Sequence, residues 1–388
     1  MTTAPDDALL ADSRERAVRA LLRVPQLKRL WSAHLVGSVG DALALLVLVM
    51  LALQAAIAEG AFGDGYRGVA IAVTAVFGAR VLATLLFGAV LLGPLTSLTS
   101  PDGPLDRRWT MVGADGVRAA LLICAPLWID WTPDNALAML LVTAFVAGVA
   151  ERFWTVARES AAPALLPGPP LEGATVRPLP DHMDALRRLS LRTGFVALPL
   201  AAVALVAVSL VGILLGAGVD WFEQHQAGLG SFLAAGLFAA SLSIVYAIEL
   251  PGTHTPRARS PLEGLRRPRT GSGTDKGRTG AIPLLVAACT AVAGAIAAAV
   301  AVAVLHAKDL QGGPVTYGLF VFALFAPLLA AADALRQPTA AGISRRRRRD
   351  TPGIRTRSSR QWSRISRTST RHYTGSKRWS PTCSRSAG

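Results

Sequence analysis

The chain has 388 residues, of which 52% are hydrophobic and 17% charged, with a formal net charge of +15 and a positive mean hydropathy. Its length would suit two or three soluble domains, but so apolar a composition excludes a soluble enzyme and places the chain among membrane proteins. Most of the excess positive charge falls after residue 340, so the total does not describe a nucleic-acid-binding body.

Residues 1–30 are polar and carry Asp6, Asp7, Asp12 and Glu15; the first apolar run starts only after Trp31, too late for a cleavable secretory signal. A bilayer core about 30 Å thick takes roughly 20 apolar residues as a helix. Runs of that kind lie at 31–58, 69–93, 109–129, 136–159, 194–218, 229–250, 281–306 and 315–335, which predicts eight spans. The first six form a membrane bundle over 31–250. A basic linker rich in Pro, Gly and Arg covers 251–280, and two further helices occupy 281–335.

Arginines mark alternate connections. They include Arg14 to Arg29 before the first span, Arg107 and Arg108, then Arg177 to Arg192, and the linker from Arg257 to Arg278. The intervening loops are acidic or neutral around Asp64, Asp130, Asp220 and Asp309. This bias predicts a cytoplasmic N-terminus and, after eight spans, a cytoplasmic C-terminus.

From about Gly342 the composition changes. Arg345 to Arg349 run together, and Ser, Thr and Arg then alternate with Trp362, Tyr373 and Trp379. Such a segment buries too little apolar surface to fold, so 336–388 reads as a disordered tail. A basic arm for RNA or anionic lipid is one reading; a shifted reading frame in a GC-rich gene is the one favoured here.

Ionisable residues inside a span are costly and face the protein interior, which makes each a functional candidate. Asp41, Arg80, Asp115, Arg118, Glu151 and Arg152 are the six. At about 1.5 Å of rise per residue, Asp41 and Arg80 both reach the midplane from opposite sides, and Asp41 is expected to pair with Arg80 or Arg118. Asp115 and Arg118 share a helical face and can satisfy one another. Such charges either hold helices in register or work in a transport cycle, and both readings stay open. The six histidines and the cysteines Cys124, Cys289 and Cys383 lack ligand spacing, so no metal and no cofactor is expected. Small residues around Gly294 suit close helix packing.

Three stretches carry a family resemblance: Gly37-Ser38-Val39-Gly40-Asp41, Asp106-Arg107-Arg108-Trp109 followed by Asp115-Gly116-Val117-Arg118, and Ala157-Arg158-Glu159-Ser160 running to Pro167. Together they resemble the major facilitator superfamily, in particular its drug-efflux-like branch. Asp106, Arg107 and Arg108 look like a degenerate form of the family's motif between helices two and three, with its usual glycines displaced. A closer resemblance, through Gly78 to Gly88, Asp181 to Leu191 and Arg257 to Pro268, is to the membrane region of actinobacterial bifunctional proteins in which a facilitator-like domain precedes a thymidylate kinase.

The resemblance implies an all-α polytopic bundle in a bacterial plasma membrane: one six-helix half plus about two helices of a second. It implies transport of a small solute, by a chain truncated before the kinase. The alternative is a membrane-anchoring or regulatory domain of such a kinase. Kinase activity is not expected on this chain, because Gly273-Thr274-Asp275-Lys276-Gly277-Arg278-Thr279 is one residue short of a phosphate loop and has Arg where Lys is required. The expected partners are the lipid bilayer and a small solute, with no specific nucleic acid.

Overall fold

The computed structural model describes residues 18–59, 66–99, 104–166, 180–216, 226–250, 281–310 and 312–334. Backbone contacts divide the chain between Pro338 and Thr339, and every described residue belongs to the first unit. The described residues form helices and no strand. In chain order these are α1 (Pro25–Glu59), α2 (Tyr66–Leu85), a π turn (Leu86–Val90), α3 (Leu92–Leu98), α4 (Arg107–Cys124), α5 (Leu127–Trp131), α6 (Ala136–Ala161), α7 (Pro180–Gly216), α8 (Gln226–Tyr246), α9 (Ala281–Asp309) and α10 (Pro314–Ala334).

Local chemistry explains several boundaries. Pro25 opens α1, where a missing N–H costs nothing. Asp106 caps α4: its carboxylate accepts from the backbone N–H of Arg108 at 2.8 Å and of Trp109 at 3.1 Å. The π turn is closed by the Leu91 N–H donating to the Leu86 carbonyl at 2.8 Å. Pro199 and Pro327 sit inside α7 and α10, as proline is tolerated in apolar helices whose neighbours re-satisfy the backbone.

Contacts fix the relative directions. Ala33, Gly40 and Val47 of α1 meet Ser241, Phe238 and Gly230 of α8, and Arg29 reaches Ala247 just past its end, so the two run antiparallel. Gly116 and Leu122 of α4 meet Leu242 and Ser231 in the same sense. By contrast, Arg80 of α2 and Phe87 of the π turn that continues it meet Gly148 and Phe153 of α6, so this pair is parallel. Close approach needs small residues. A Cβ on Gly148 would stand 3.0 Å from the Ala83 Cβ, and one on Gly318 of α10 would stand 3.2 Å from the Ala202 carbonyl of α7.

Five helices are long and apolar enough to cross a membrane: Pro25–Ile57, Arg67–Gly88, Pro133–Leu165, Asp184–Leu215 and Ala227–Tyr246. Five of the eight expected spans, the first, second, fourth, fifth and sixth, have such a helix among the described residues. The third fails because α4 carries four charges and stops at Cys124, where Ala125 and Pro126 turn the chain into the short α5. The eighth corresponds to α10, Pro314–Ala334. The seventh corresponds to α9, and the linker 251–280 and tail 336–388 lie outside the described residues.

The packing is inverted relative to a water-soluble helical protein. Asp115, Arg118 and Arg158 are buried, whereas Val81, Leu82, Val117, Ile123, Ile213 and Leu214 are exposed. Charges inward and large aliphatic side chains outward is the arrangement a lipid solvent selects.

Candidate functional site: an interhelical charge network

α4 contributes the innermost pair. Arg118 and Asp115 are one turn apart on the inward face, and the Arg118 guanidinium bonds Asp115 Oδ1. Arg118 Nη1 donates to Asp41 Oδ2 of α1 at 2.8 Å. The guanidinium also lies over the Phe238 ring of α8, 4.3 Å from its centroid, which adds a cation–π contact to a buried cation.

The second oxygen of Asp115 is shared. Trp154 Nε1 of α6 donates to it at 3.2 Å and the Ser241 hydroxyl of α8 at 2.8 Å. Ser241 also lies 3.2 Å from the Ala33 carbonyl, but one hydroxyl proton serves one acceptor, and the nearer, charged one is preferred. Asp115 thus ties α4 to α6 and α8, and Arg118 ties α4 to α1.

Arg80 of α2 organises the other side. Its Nη2 donates to Glu151 Oε2 of α6 at 2.6 Å and lies 3.8 Å from Asp41 Oδ1; its Nη1 donates to the Asp41 carbonyl at 3.4 Å. Glu151 Oε1 bonds Arg152, which packs beside the π turn with its Cδ 3.6 Å from where a Cβ on Gly88 would lie. The three carboxylates Asp41, Asp115 and Glu151 therefore face the three guanidinium groups Arg80, Arg118 and Arg152 in one internally neutral set.

Exposure is graded across it. Asp115 and Arg118 side chains are 0% and 2% exposed, Arg80 and Asp41 15% and 18%, Glu151 and Arg152 23% and 26%. One end is sealed and the other can be reached. Asp41 stands between them, with one oxygen held by Arg118 and the other in the looser 3.8 Å contact to Arg80.

The loop residues do different work. Asp106 is the α4 cap, Arg107 donates to the Ser160 carbonyl at 2.8 Å, and Arg108 lies 4.8 Å from the Tyr246 ring centroid. These contacts join the start of α4 to the ends of α6 and α8.

Sequence reasoning missed Trp154, Ser241 and Phe238, set His34 aside with the other histidines, and noted Arg158 only within a family-like stretch. His34 stacks on Trp154 with centroids 5.4 Å apart, and Arg158 lies over both Trp31 and Trp154. The faint signal was a polar or aromatic residue within an apolar run. Among the described residues no three His, Cys, Asp or Glu side chains converge as a metal site would need. The degenerate phosphate loop at 273–279 lies outside the described residues.

Fold and site together define the class: an all-helical protein with several helices suited to crossing a membrane and a balanced set of charges between them. No family model, curated protein or solved structure matches the chain.

Proposed function

We propose that the chain acts in the membrane movement of a small solute, as a facilitator-like transporter element whose moving part is Asp41. The observation that carries this reading is the asymmetry at Asp41: a tight 2.8 Å contact to sealed Arg118 and a loose 3.8 Å contact to accessible Arg80. A carboxylate placed between two guanidinium groups on different helices can strengthen one contact as the other breaks. The helices then have two discrete arrangements, which an alternating-access cycle requires. The Arg-rich connections favour the end bearing Arg29, Arg107 and Arg158 as the cytoplasmic one.

The experiment is efflux of lipophilic cationic dyes from proteoliposomes containing the full chain, with Asp41→Asn and Arg80→Gln compared. Flux above empty vesicles, lost in both variants, is the expected result. Equal flux in wild type and empty vesicles overturns transport; full flux in Asp41→Asn overturns the role given to Asp41.

A further inference from the structure

A second feature lies away from the charge network. A cavity of about 690 Å³ opens where the start of α1, the end of α6 and the first turns of α7 converge, lined by Trp31, Arg158, Glu159, Pro163, Leu186 and Arg187 among others. By helix rise, Trp31 is about 9 Å into α1, Arg158 about 5 Å from the end of α6 and Arg187 about 10 Å into α7. All three are within two turns of a helix terminus. That is the depth at which an embedded helix passes from acyl chains to headgroups.

Two donors of its lining residues lack acceptors. Arg158 Nη1 and Trp31 Nε1 are buried and make no hydrogen bond, although the Arg158 residue is only 6% exposed and Trp31 only 7%. Arg158 is otherwise held by the Trp31 and Trp154 rings and by a 3.8 Å contact from Nη2 to Glu159. A buried donor without an acceptor is costly, and one cationic and one neutral donor at one cavity point to an oxygen-rich anion as the missing partner. Leu186, Leu191, Ala162 and Pro163 supply apolar wall beside them.

The charge on the lining selects among anions. Two arginines, Arg158 and Arg187, oppose one carboxylate, Glu159, which leaves a single positive charge. We infer that this cavity binds a monoanionic phosphodiester headgroup, that of an anionic phospholipid, with Arg158 and Trp31 turning from their closed positions to donate to its oxygens and the leucines receiving the start of an acyl chain. Phosphatidylglycerol has this chemistry. Phosphatidylcholine carries a compensating cation, and inorganic phosphate has no acyl chain.

The test is native mass spectrometry of the full chain in detergent, titrated separately with phosphatidylglycerol, phosphatidylcholine and inorganic phosphate. Arg187 and Glu159 are exposed, so Arg187→Gln and Glu159→Gln leave the fold intact, which unchanged thermal midpoints would verify. One saturable phosphatidylglycerol adduct is expected, weakened about fivefold in Arg187→Gln and strengthened by a similar factor in Glu159→Gln, the effect of one charge near a membrane surface. Equal binding of the two lipids, or adducts indifferent to both substitutions, overturns the inference. Displacement of phosphatidylglycerol by millimolar inorganic phosphate would assign the cavity to a free anion and overturn the lipid as its occupant.

Discussion

Replacing Asp115 by Ala removes the acceptor for three donors at the driest point of the network. Arg118 loses one of its two carboxylates but keeps Asp41 at 2.8 Å. Breaking a buried ion pair costs about 3–5 kcal/mol, and the retained Asp41 contact puts the loss near ~3 kcal/mol. Ser241 can turn its proton to the Ala33 carbonyl 3.2 Å away, so it adds little. The Trp154 N–H has no such alternative and adds about 1–3 kcal/mol as an orphaned donor. The expected destabilisation is therefore ~4 kcal/mol, well above the roughly 0.6 kcal/mol typical of a neutral interhelical hydrogen bond in a membrane protein. Reversible unfolding in mixed detergent–SDS micelles measures it, with Arg118→Ala and the double variant closing a cycle. Coupling of about 1–3 kcal/mol between the two positions is expected. A loss below ~1 kcal/mol, or strict additivity, would refute the claim that these groups are energetically one unit.

Three further outcomes follow from other contacts. Gly148→Val places a branched side chain where a Cβ alone already meets Ala83 at 3.0 Å; it should cost about 1–3 kcal/mol in the same unfolding assay, and Ala83→Gly should partly rescue it. Tyr317 is fully buried and its hydroxyl meets no partner, so Tyr317→Phe should be neutral or stabilising by up to ~1 kcal/mol, read as a thermal midpoint that does not fall. Asp106→Ala removes the cap from two backbone N–H groups of α4 and should cost about 1 kcal/mol, visible as faster hydrogen exchange confined to the first turn of that helix.

Much of the helical layout was legible because a run of apolar residues states its own length. Spans read at 136–159 and 229–250 correspond to α6 and α8 within a few residues. Where the reading fell short, a local rule was outvoted. α7 begins at Pro180 rather than 194, since the polar stretch containing Asp184 and Arg188, four apart and 3.0 Å from each other, continues the same helix. The third span is interrupted at Pro126, whose helix-ending effect hydropathy does not register.

In the site, six charges could be singled out because each is expensive in an apolar helix. Their pairing was harder to read, since helical rise gives depth but not azimuth. Ser241 and Trp154 were invisible for a different reason: a serine and a tryptophan cost little in a span, so nothing in the sequence marks them as partners of Asp115, 126 and 39 residues away.

That separation also sets a schedule for synthesis. Asp115 and Arg118 each oppose insertion of α4 by about 2.5–3.5 kcal/mol when they sit at the centre of an isolated helix. Asp41 has already been made when α4 leaves the ribosome, so Arg118 has a partner waiting. The Ser241 hydroxyl is translated 126 residues after Asp115, roughly 6–25 s later at about 5–20 residues per second. For that interval the Asp115 carboxylate lacks one of its three donors, and α4 is held by α1 and then by Trp154. A ribosomal stall between α6 and α8 would leave Asp115 one donor short.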